Sequence, residues 1–469
     1  VNPFYIRLAA LLACVAALAC GPAQAQATEP ATMTNTAAYD GGEHQVLVML
    51  RLPAAHYRPD ASYGGRYIND SGRGARHRRA EALARQHGLT LVDDWPMPLL
   101  GLDCYVMRYA DSDNAERIIT LLTRDPQVEW AQPVARFSGM GMAEATPAAA
   151  AQIPTAPPAA TTATATTATT ATAASDALYP VQPAARYWHV AELHRYTTGR
   201  EIKVAVIDSG VDAGHPDLLG QLADNANFVD AGPAPAENHG TAVAGIIGAR
   251  AGNGGIVGVA PGARLMGLRA CWQLPDLATR CNSFTLAKAI NYAILNGAKV
   301  INLSLSGPPD RLLDRLLDIA LERGISVVGA VDARASGPSF PASHRGVLAV
   351  ASQGDGAKAG AAAAQATAVQ AAPPSRALLA PGNDIPATAP GGRWSFVSGS
   401  SYAAAHVSGM LALLDELQPG ATPAQLRALL QPASLIAGNI DACAAISRLV
   451  RNCSCACPAG ILTQRSVRP

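Results

Sequence analysis

Hydrophobic and polar positions fall into two rhythms along this chain. Between residues 43 and 138, short apolar runs alternate with amphipathic ones. Gln45 to Leu50 reads as a strand, and Ala75 to His87 as a basic helix closed by Gly88. Leu89 to Trp95 and Leu102 to Tyr109 alternate like strands, with Pro96 and Pro98 between them. Ile118, Leu121 and Leu122 give Asn114 to Thr123 a helical face, and Val128-Glu129-Trp130 ends the unit as a strand. The order strand–helix–strand–strand–helix–strand predicts a small ferredoxin-like α+β domain. Such domains serve many purposes, so the order alone assigns none.

From Leu178 to about residue 436 strands and helices alternate. Strands are predicted at Lys203 to Ile207, Arg264 to Leu268, Lys299 to Leu305, Ile325 to Ala330 and Val347 to Ala351. Helices are predicted at His239 to Ala249, Ser283 to Asn296 and Arg311 to Arg323. A further helix spans Thr422 to Leu430, with Thr422 as cap and Pro423 in first position. Alternation of this kind predicts an α/β domain, a mostly parallel sheet wound on both faces by helices. Functional residues of such sheets gather at the carboxyl ends of the strands.

Composition changes the picture mainly outside these two domains. Residues 139–177 are nearly all Ala, Thr and Pro, with nothing large to bury, and read as a disordered, cleavable linker. Gly356 to Pro374 reads as an Ala-rich surface insertion. Leu8 to Ala19 is apolar but too short to span a bilayer, and Ala23-Gln24-Ala25 or Ala25-Gln26-Ala27 supplies small residues for cleavage. Residues 1–27 therefore read as a secretory signal peptide, and Ala17-Leu18-Ala19-Cys20 also fits a lipoprotein box that would lipidate Cys20. A net charge of +1 with 15% charged residues argues against nucleic acid or polyanions as partners.

Nine cysteines fit export better than a reducing cytosol. Cys271 and Cys281 bracket a short loop and are expected to pair. The Cys453-Ser454-Cys455-Ala456-Cys457 cluster gives residues 437–469 the look of a disulfide-bearing tail, with metal binding as the other option.

The candidate chemistry centres on Gly392 to Leu414. A polar extended approach meets Gly399-Ser400-Ser401, and an apolar helix follows at once, buried through Val407, Met410, Leu411 and Leu414. Ser400 and Ser401 fit helix caps. Ser401 also fits a nucleophile, because free N–H groups and the helix dipole at such a start favour an oxyanion. Upstream, Val204-Ala-Val-Ile-Asp-Ser-Gly210 places Asp208 at the end of a buried strand, where a carboxylate can orient an imidazole. Asn238-His-Gly-Thr-Ala-Val-Ala-Gly245 places His239 at a helix start among small residues.

The order Asp, His, Ser is the subtilisin order. The stretches Val206-Ile-Asp-Ser-Gly-Val-Asp212 with His215-Pro-Asp-Leu218, His239-Gly-Thr-Ala-Val-Ala-Gly245, and Gly399 to Gly409 closely resemble the three signature blocks of the subtilase family of serine proteases. Gly258-Val-Ala-Pro-Gly262 and Val300-Ile-Asn-Leu-Ser-Leu305 are similar to that family too, so the resemblance covers about Leu178 to Leu430. It implies a subtilisin-like doubly wound sheet, and it makes residues 43–138 resemble a subtilase propeptide, a foldase and inhibitor removed by self-cleavage.

The implied roles are nucleophile for Ser401, general base for His239 and orienting carboxylate for Asp208. Ser304-Leu305-Ser306 would form one wall of the substrate cleft and Gly329-Ala330-Val331 the other. The Ser401 N–H would be one oxyanion donor. The family's second donor is an asparagine, and this chain has Val331-Asp332 there. Asp332 donates only if neutral or rotated, and water, Asn302 or Arg334 are the other options. Ala405 replaces a usual proline and Ser306 a usual glycine, which narrows the primary pocket.

The expectation is an exported serine endopeptidase made as a zymogen, acting on peptide or protein substrates as a monomer, with its propeptide as intramolecular inhibitor. The alternative is a catalytically weak subtilase-fold binding scaffold. No metal or other cofactor is required by the chemistry. Structural calcium is compatible with the family, but no compact acidic loop points to it. No transmembrane segment is expected, and the location is periplasmic or secreted.

Overall fold

A computed structural model describes residues 44–52, 73–143, 176–335, 339–353, 377–431 and 439–450. The expected signal peptide of residues 1–27, the expected insertion from Gly356 to Pro374 and Cys453, Cys455 and Cys457 lie outside the described residues.

The N-terminal domain runs β1 (Gln45–Arg51), α1 (Arg73–Gln86), β2 (Thr90–Met97), β3 (Leu102–Arg108), α2 (Ala115–Thr123) and β4 (Val128–Pro133). Its antiparallel sheet has the order β2-β3-β1-β4, the ferredoxin-like arrangement expected from the element order. β1 is apolar from Val46 to Leu50 because both faces of this sheet are covered. Val46, Val48 and Leu50 pack with Leu83, Ile118 and Leu122 of the domain's own helices. Leu47 and Met49, pointing the other way, join Trp130 and the apolar faces of two helices of the larger domain. Asn114 caps α2 by accepting from the Arg117 N–H.

The larger domain is built on a parallel sheet of β7 (Lys203–Asp208), β8 (Leu222–Asn227), β9 (Arg264–Arg269), β12 (Val300–Leu303), β14 (Ser326–Ala330), β15 (Leu348–Ser352) and β16 (Leu378–Ala380). Their spatial order is β16-β15-β14-β12-β7-β9-β8, all parallel. One face packs on α3 (Asn238–Gly248) and α6 (Ser400–Leu417), the other on α4 (Ser283–Leu295) and α5 (Arg311–Glu322). Here α4 and α5 also receive the N-terminal sheet, through Phe284, Leu312, Leu313 and Leu316. Three cations of these helices lie on aromatic rings of the N-terminal domain. Arg311 and Arg315 stand 4.6 and 4.8 Å from the Trp130 ring, and Lys288 stands 5.3 Å from Trp95. Burial lowers the Lys288 ammonium below the ordinary lysine range.

Three expectations from sequence need correction. The stretch expected as a strand from Lys299 to Leu305 breaks at Ser304. β13 (Leu305–Ser306) leaves the parallel sheet and pairs with β5 (Arg136–Gly139). The expected linker of residues 139–177 is ordered at both ends. β5 also pairs with β11 (Thr279–Asn282), and β6 (Gly141–Ala143) pairs with β18 (Arg393–Gly399), the partner of β17 (Ile385–Ala389). At the other end Asp176 is buried, its carboxylate accepting from the N–H groups of Gly252 and Gly254. The composition argument fails there because these contacts use main-chain groups and one aspartate, none of which needs a large side chain.

The expected tail from residue 437 also begins inside the fold. Ile440, Ala442, Ala445 and Ile446, the latter three in α8 (Ala442–Ser447), pack in the core beside α7 (Pro423–Leu430). Thr422 caps α7 with Gln425 in a capping box, and Pro423 occupies its first turn. Cys271 and Cys281 are disulfide-bonded across the hairpin of β10 (Cys271–Gln273) and β11. Cys104 is reduced and buried, and burial pushes its thiol well above the usual range. Among the described residues no helix is long and apolar enough to cross a membrane.

Candidate active site

Asp208, His239 and Ser401 come together at the carboxyl end of the parallel sheet. Asp208 ends β7, His239 is the second residue of α3 and Ser401 the second residue of α6. His239 Nδ1 lies 2.7 Å from Asp208 Oδ1, and His239 Nε2 lies 2.9 Å from Ser401 Oγ. With Nδ1–H donating to the carboxylate, Nε2 is left as the acceptor facing the hydroxyl. All three side chains are buried.

Local sequence explains this placement. The Ser209 N–H donates to Asp208 Oδ1, fixing the carboxylate at the strand end. A Cβ on Gly240 would fall 2.1 Å from the Ser209 carbonyl oxygen, so glycine is what lets α3 start against β7. Glu237, the residue before α3, accepts from the Gly210 N–H, the Gln273 N–H and the Arg269 guanidinium. This buried network ties the approach to His239 onto β7 and β9.

Neither Ser400 nor Ser401 caps α6. The cap position is Gly399, with φ of +146° and no side-chain bond to the helix. Ser400 Oγ donates instead to the Val331 carbonyl at 2.7 Å. The Ser401 hydroxyl has two acceptors within reach, His239 Nε2 and the Ser304 carbonyl at 2.9 Å. Below it, Ser304 Oγ donates to the Ser401 carbonyl. Asn302 Nδ2 donates to Ser304 Oγ, and Ser408 Oγ donates to Asn302 Oδ1. Asn302 is therefore engaged at both ends of its amide, beneath the site.

The cleft is filled by the chain's own residues Arg136 to Ala143, a feature that no side-chain pattern announced. β5 inserts between β11 and β13, with Phe137 opposite Cys281, Ser138 opposite Ser306 and Gly139 opposite Leu305. The Met140 N–H donates to the Ser304 carbonyl at 3.2 Å and to Ser401 Oγ at 3.0 Å. The Ser401 N–H points to the Met140 carbonyl oxygen at 3.5 Å. Gly399 has no Cβ because one would stand 2.2 Å from that same oxygen. On the far side β6 pairs with β18, Gly141 facing Gly399.

The structure thus puts Ser304, Leu305 and Ser306 along one side of this segment. Ser306 Oγ lies 2.7 Å from Ser339 Oγ. Val331, Asp332, Ala333 and Arg334 line the hollow beside Met140, whereas Gly329 and Ala330 are buried within β14. Asp332 Oδ1 accepts from the Arg334 N–H at 2.8 Å, and the Asp332 N–H donates to Ser339 Oγ.

Tyr402, missed in the sequence reading, is buried directly after the serine, its ring centroid 5.6 Å from that of His239. Burial, and then the Asp208 charge, push its hydroxyl well above the tyrosine range. His406, one turn on, is fully enclosed against Trp188, and burial lowers it to about 4.

For metals, the described residues bring together ligand atoms of Asp314, Asp318 and His344. His344 Nδ1 accepts from the Gly346 N–H, so its Nε2 carries the proton and faces the two carboxylates at 3.5 and 3.4 Å. In that tautomer the ring nitrogen facing the carboxylates is a donor rather than a free metal ligand.

The family model described as Subtilase family matches residues 199–445, more than half of the chain. Subtilisin E of Bacillus subtilis (strain 168) is 34% identical over 251 residues, which are 52% of this chain and 62% of that protein. Subtilisin of Bacillus pumilus is 34% identical over 251 residues, covering 52% of this chain and 86% of its own length. The match to the thermophilic serine proteinase of Bacillus sp. (strain AK1) is 34% identical over 310 residues, 64% of this chain and 66% of that protein. This chain thus spans less than two thirds of subtilisin E and of the thermophilic proteinase. Fervidolysin from Fervidobacterium pennivorans, a keratinolytic enzyme related to subtilisin, superposes with a TM-score of 0.59 over 86% of this chain and 61% of that chain. At 22% identity that likeness is one of fold.

Proposed function

The chain belongs to the subtilase family, and we propose that it is an exported serine endopeptidase made as a zymogen. The observation that carries this reading is the course of Met140 across the site. Its carbonyl faces the Ser401 N–H, and its own N–H bonds to Ser304 and to Ser401 Oγ. In our reading the Met140–Gly141 bond is the first substrate. Ser401 Oγ attacks the Met140 carbonyl carbon while His239 Nε2 takes the hydroxyl proton. The C–N bond then breaks, and that proton passes to the Gly141 nitrogen. Water attacks the resulting ester, giving its proton to His239, and the Ser401 hydroxyl is restored. Asp208 keeps His239 in the tautomer that accepts at Nε2.

In this reading residues 44–140 are the propeptide, an inhibitor resting on α4 and α5 with its last strand in the cleft. Peptide or protein segments take that strand's place after processing, adding between β11 and β13 through main-chain bonds. Export rests on the signal-like residues 1–27, on the Cys271–Cys281 disulfide and on the subtilisin relatives. Cys20 is the site for a lipid anchor if the signal is of lipoprotein type.

The oxyanion hole is atypical in this proposal, with the Ser401 N–H as one donor and Asp332 where the family's asparagine stands. A second reading, a weak subtilase-fold scaffold kept for binding, is favoured by one contact. Asp332 Oδ1 accepts from the Arg334 N–H, so its carboxyl group stands as an acceptor where a second donor is called for.

Labelling of the exported protein by an active-site serine phosphonate, beside Ser401→Ala, separates the two. Labelling and propeptide processing that both vanish in the variant support the protease. A folded, uncut and unlabelled wild type establishes the scaffold.

A further inference from the structure

The space around the bound segment is uneven on the two sides of Met140. An added Cβ on Gly141 would stand 2.5 Å from Tyr402 Oη, 2.7 Å from Tyr402 Cζ and 2.9 Å from His239 Cδ2. All three distances lie well inside ordinary van der Waals contact. On Gly139 a Cβ would stand 2.9 Å from Thr279 Cβ and 3.4 Å from the His239 ring, a milder conflict. Neither glycine has a positive φ, so their backbone conformations suit any residue, and the demand for glycine is one of room.

Tyr402 has little freedom to yield. Its backbone follows Ser401 in the first turn of α6, its side chain is buried, and its ring leans on His239. Withdrawing it would shift the nucleophile or the base. Met140, by contrast, is only half-buried beside Val331, Asp332, Ala333 and Arg334. Phe137 is enclosed against Phe340, in a space that exists because Gly307 has no Cβ to fall 2.3 Å from the Phe137 ring.

We propose that Tyr402 is a specificity-determining residue that restricts cleavage to peptide bonds followed by glycine. The substrate class is polypeptide with an X–Gly bond, preferably with glycine before X. This inference rests on the protease reading and deepens it.

The test uses the processed, exported protein and internally quenched peptides spanning Arg136 to Ala143, with Gly, Ala or Val at the position of Gly141. For wild type, kcat/KM is expected to fall about ten- to a hundredfold from Gly to Ala, the range for forcing one methyl into a packed site. Cleavage of the Val peptide should be lost. In Tyr402→Ala the Gly-to-Ala ratio approaches one. Should that variant not fold, Gly141→Ala in the full chain must slow self-cleavage by a similar factor while Gly74→Ala, exposed on α1, leaves it near wild type. Equal cleavage of Gly and Ala peptides by wild type, or an unslowed Gly141→Ala chain, overturns the proposal but leaves the protease intact. Failure to cleave any peptide, with no phosphonate labelling, overturns both.

Discussion

The main-chain N–H of Met140 donates to Ser401 Oγ at 3.0 Å, across 261 positions of sequence. That contact makes the proposed nucleophile and the bond nearest to it parts of one chain. It predicts the first product. N-terminal sequencing of the processed protein should begin at Gly141. Ser401→Ala should remain a full-length chain with unchanged circular dichroism. A mature N-terminus well inside residues 144–175 would show that another bond is cut.

Asp208 accepts from both the Ser209 N–H and His239 Nδ1. Asp208→Asn keeps the shape but can turn its amide N–H toward the ring, favouring the tautomer in which Nε2 carries the proton. We expect kcat to drop about ten-thousandfold with KM little changed, as loss of the correct tautomer does. Steady-state kinetics on one good peptide check this, and a tenfold effect would mean that Asp208 matters little to orientation.

In the proposed oxyanion hole Asp332 offers an acceptor where the developing charge calls for a donor. In Asp332→Asn, Oδ1 can keep the Arg334 N–H while Nδ2 becomes free to donate. The expected result is a rise in kcat of at most about a hundredfold at similar KM, the lower range for one oxyanion donor. A fall in kcat would show that the carboxyl group itself takes part.

Arg311 and Arg315 stack on Trp130 from α5. Each such contact contributes on the order of 0.5–2 kcal/mol. Replacing both arginines by alanine should therefore speed release of the cleaved N-terminal domain about tenfold or more, measured by the lag before full activity in a peptide assay. An unchanged lag would place the hold elsewhere in the interface.

His406 is enclosed by Trp188 and bonded to the Tyr402 carbonyl through Nδ1, and burial holds it neutral with a pKa of about 4. Its ordinary value is 6.5. The unfolded chain thus binds a proton more readily than the folded one between these values. Stability from this residue is fully present above pH 6.5 and is lost as pH falls from there toward 4, by about 3 kcal/mol. Urea unfolding across that window, wild type against His406→Leu, should show the slope flattened in the variant. Parallel slopes would assign the pH dependence to other groups.

Much of this was legible before any coordinates. The strands of the parallel sheet are short buried apolar runs, and α5 shows its apolar stripe at Leu312, Leu313, Leu316 and Leu317. The polar edge strand β8, Leu222-Ala-Asp-Asn-Ala-Asn227, carries no such signal and went unseen. Asp208, His239 and Ser401 were readable because each sits in a long motif whose small residues are themselves required by close packing, as Gly240 and Gly399 show.

The amino-acid sequence by itself determined the two domain folds and the order of the candidate reactive residues. Those features are written in side-chain chemistry and periodicity. Only the tertiary structure decided that Arg136 to Ala143 lies in the cleft, that Tyr402 crowds Gly141, and that residues 440–446 complete the core. The reason is physical. β5 and β6 are placed largely by main-chain hydrogen bonds, which every residue but proline can make, and crowding is a relation between atoms distant in sequence. Neither leaves a mark on hydrophobic pattern, so a stretch of Gly, Met and Ala that reads as the start of a linker becomes the occupant of the site.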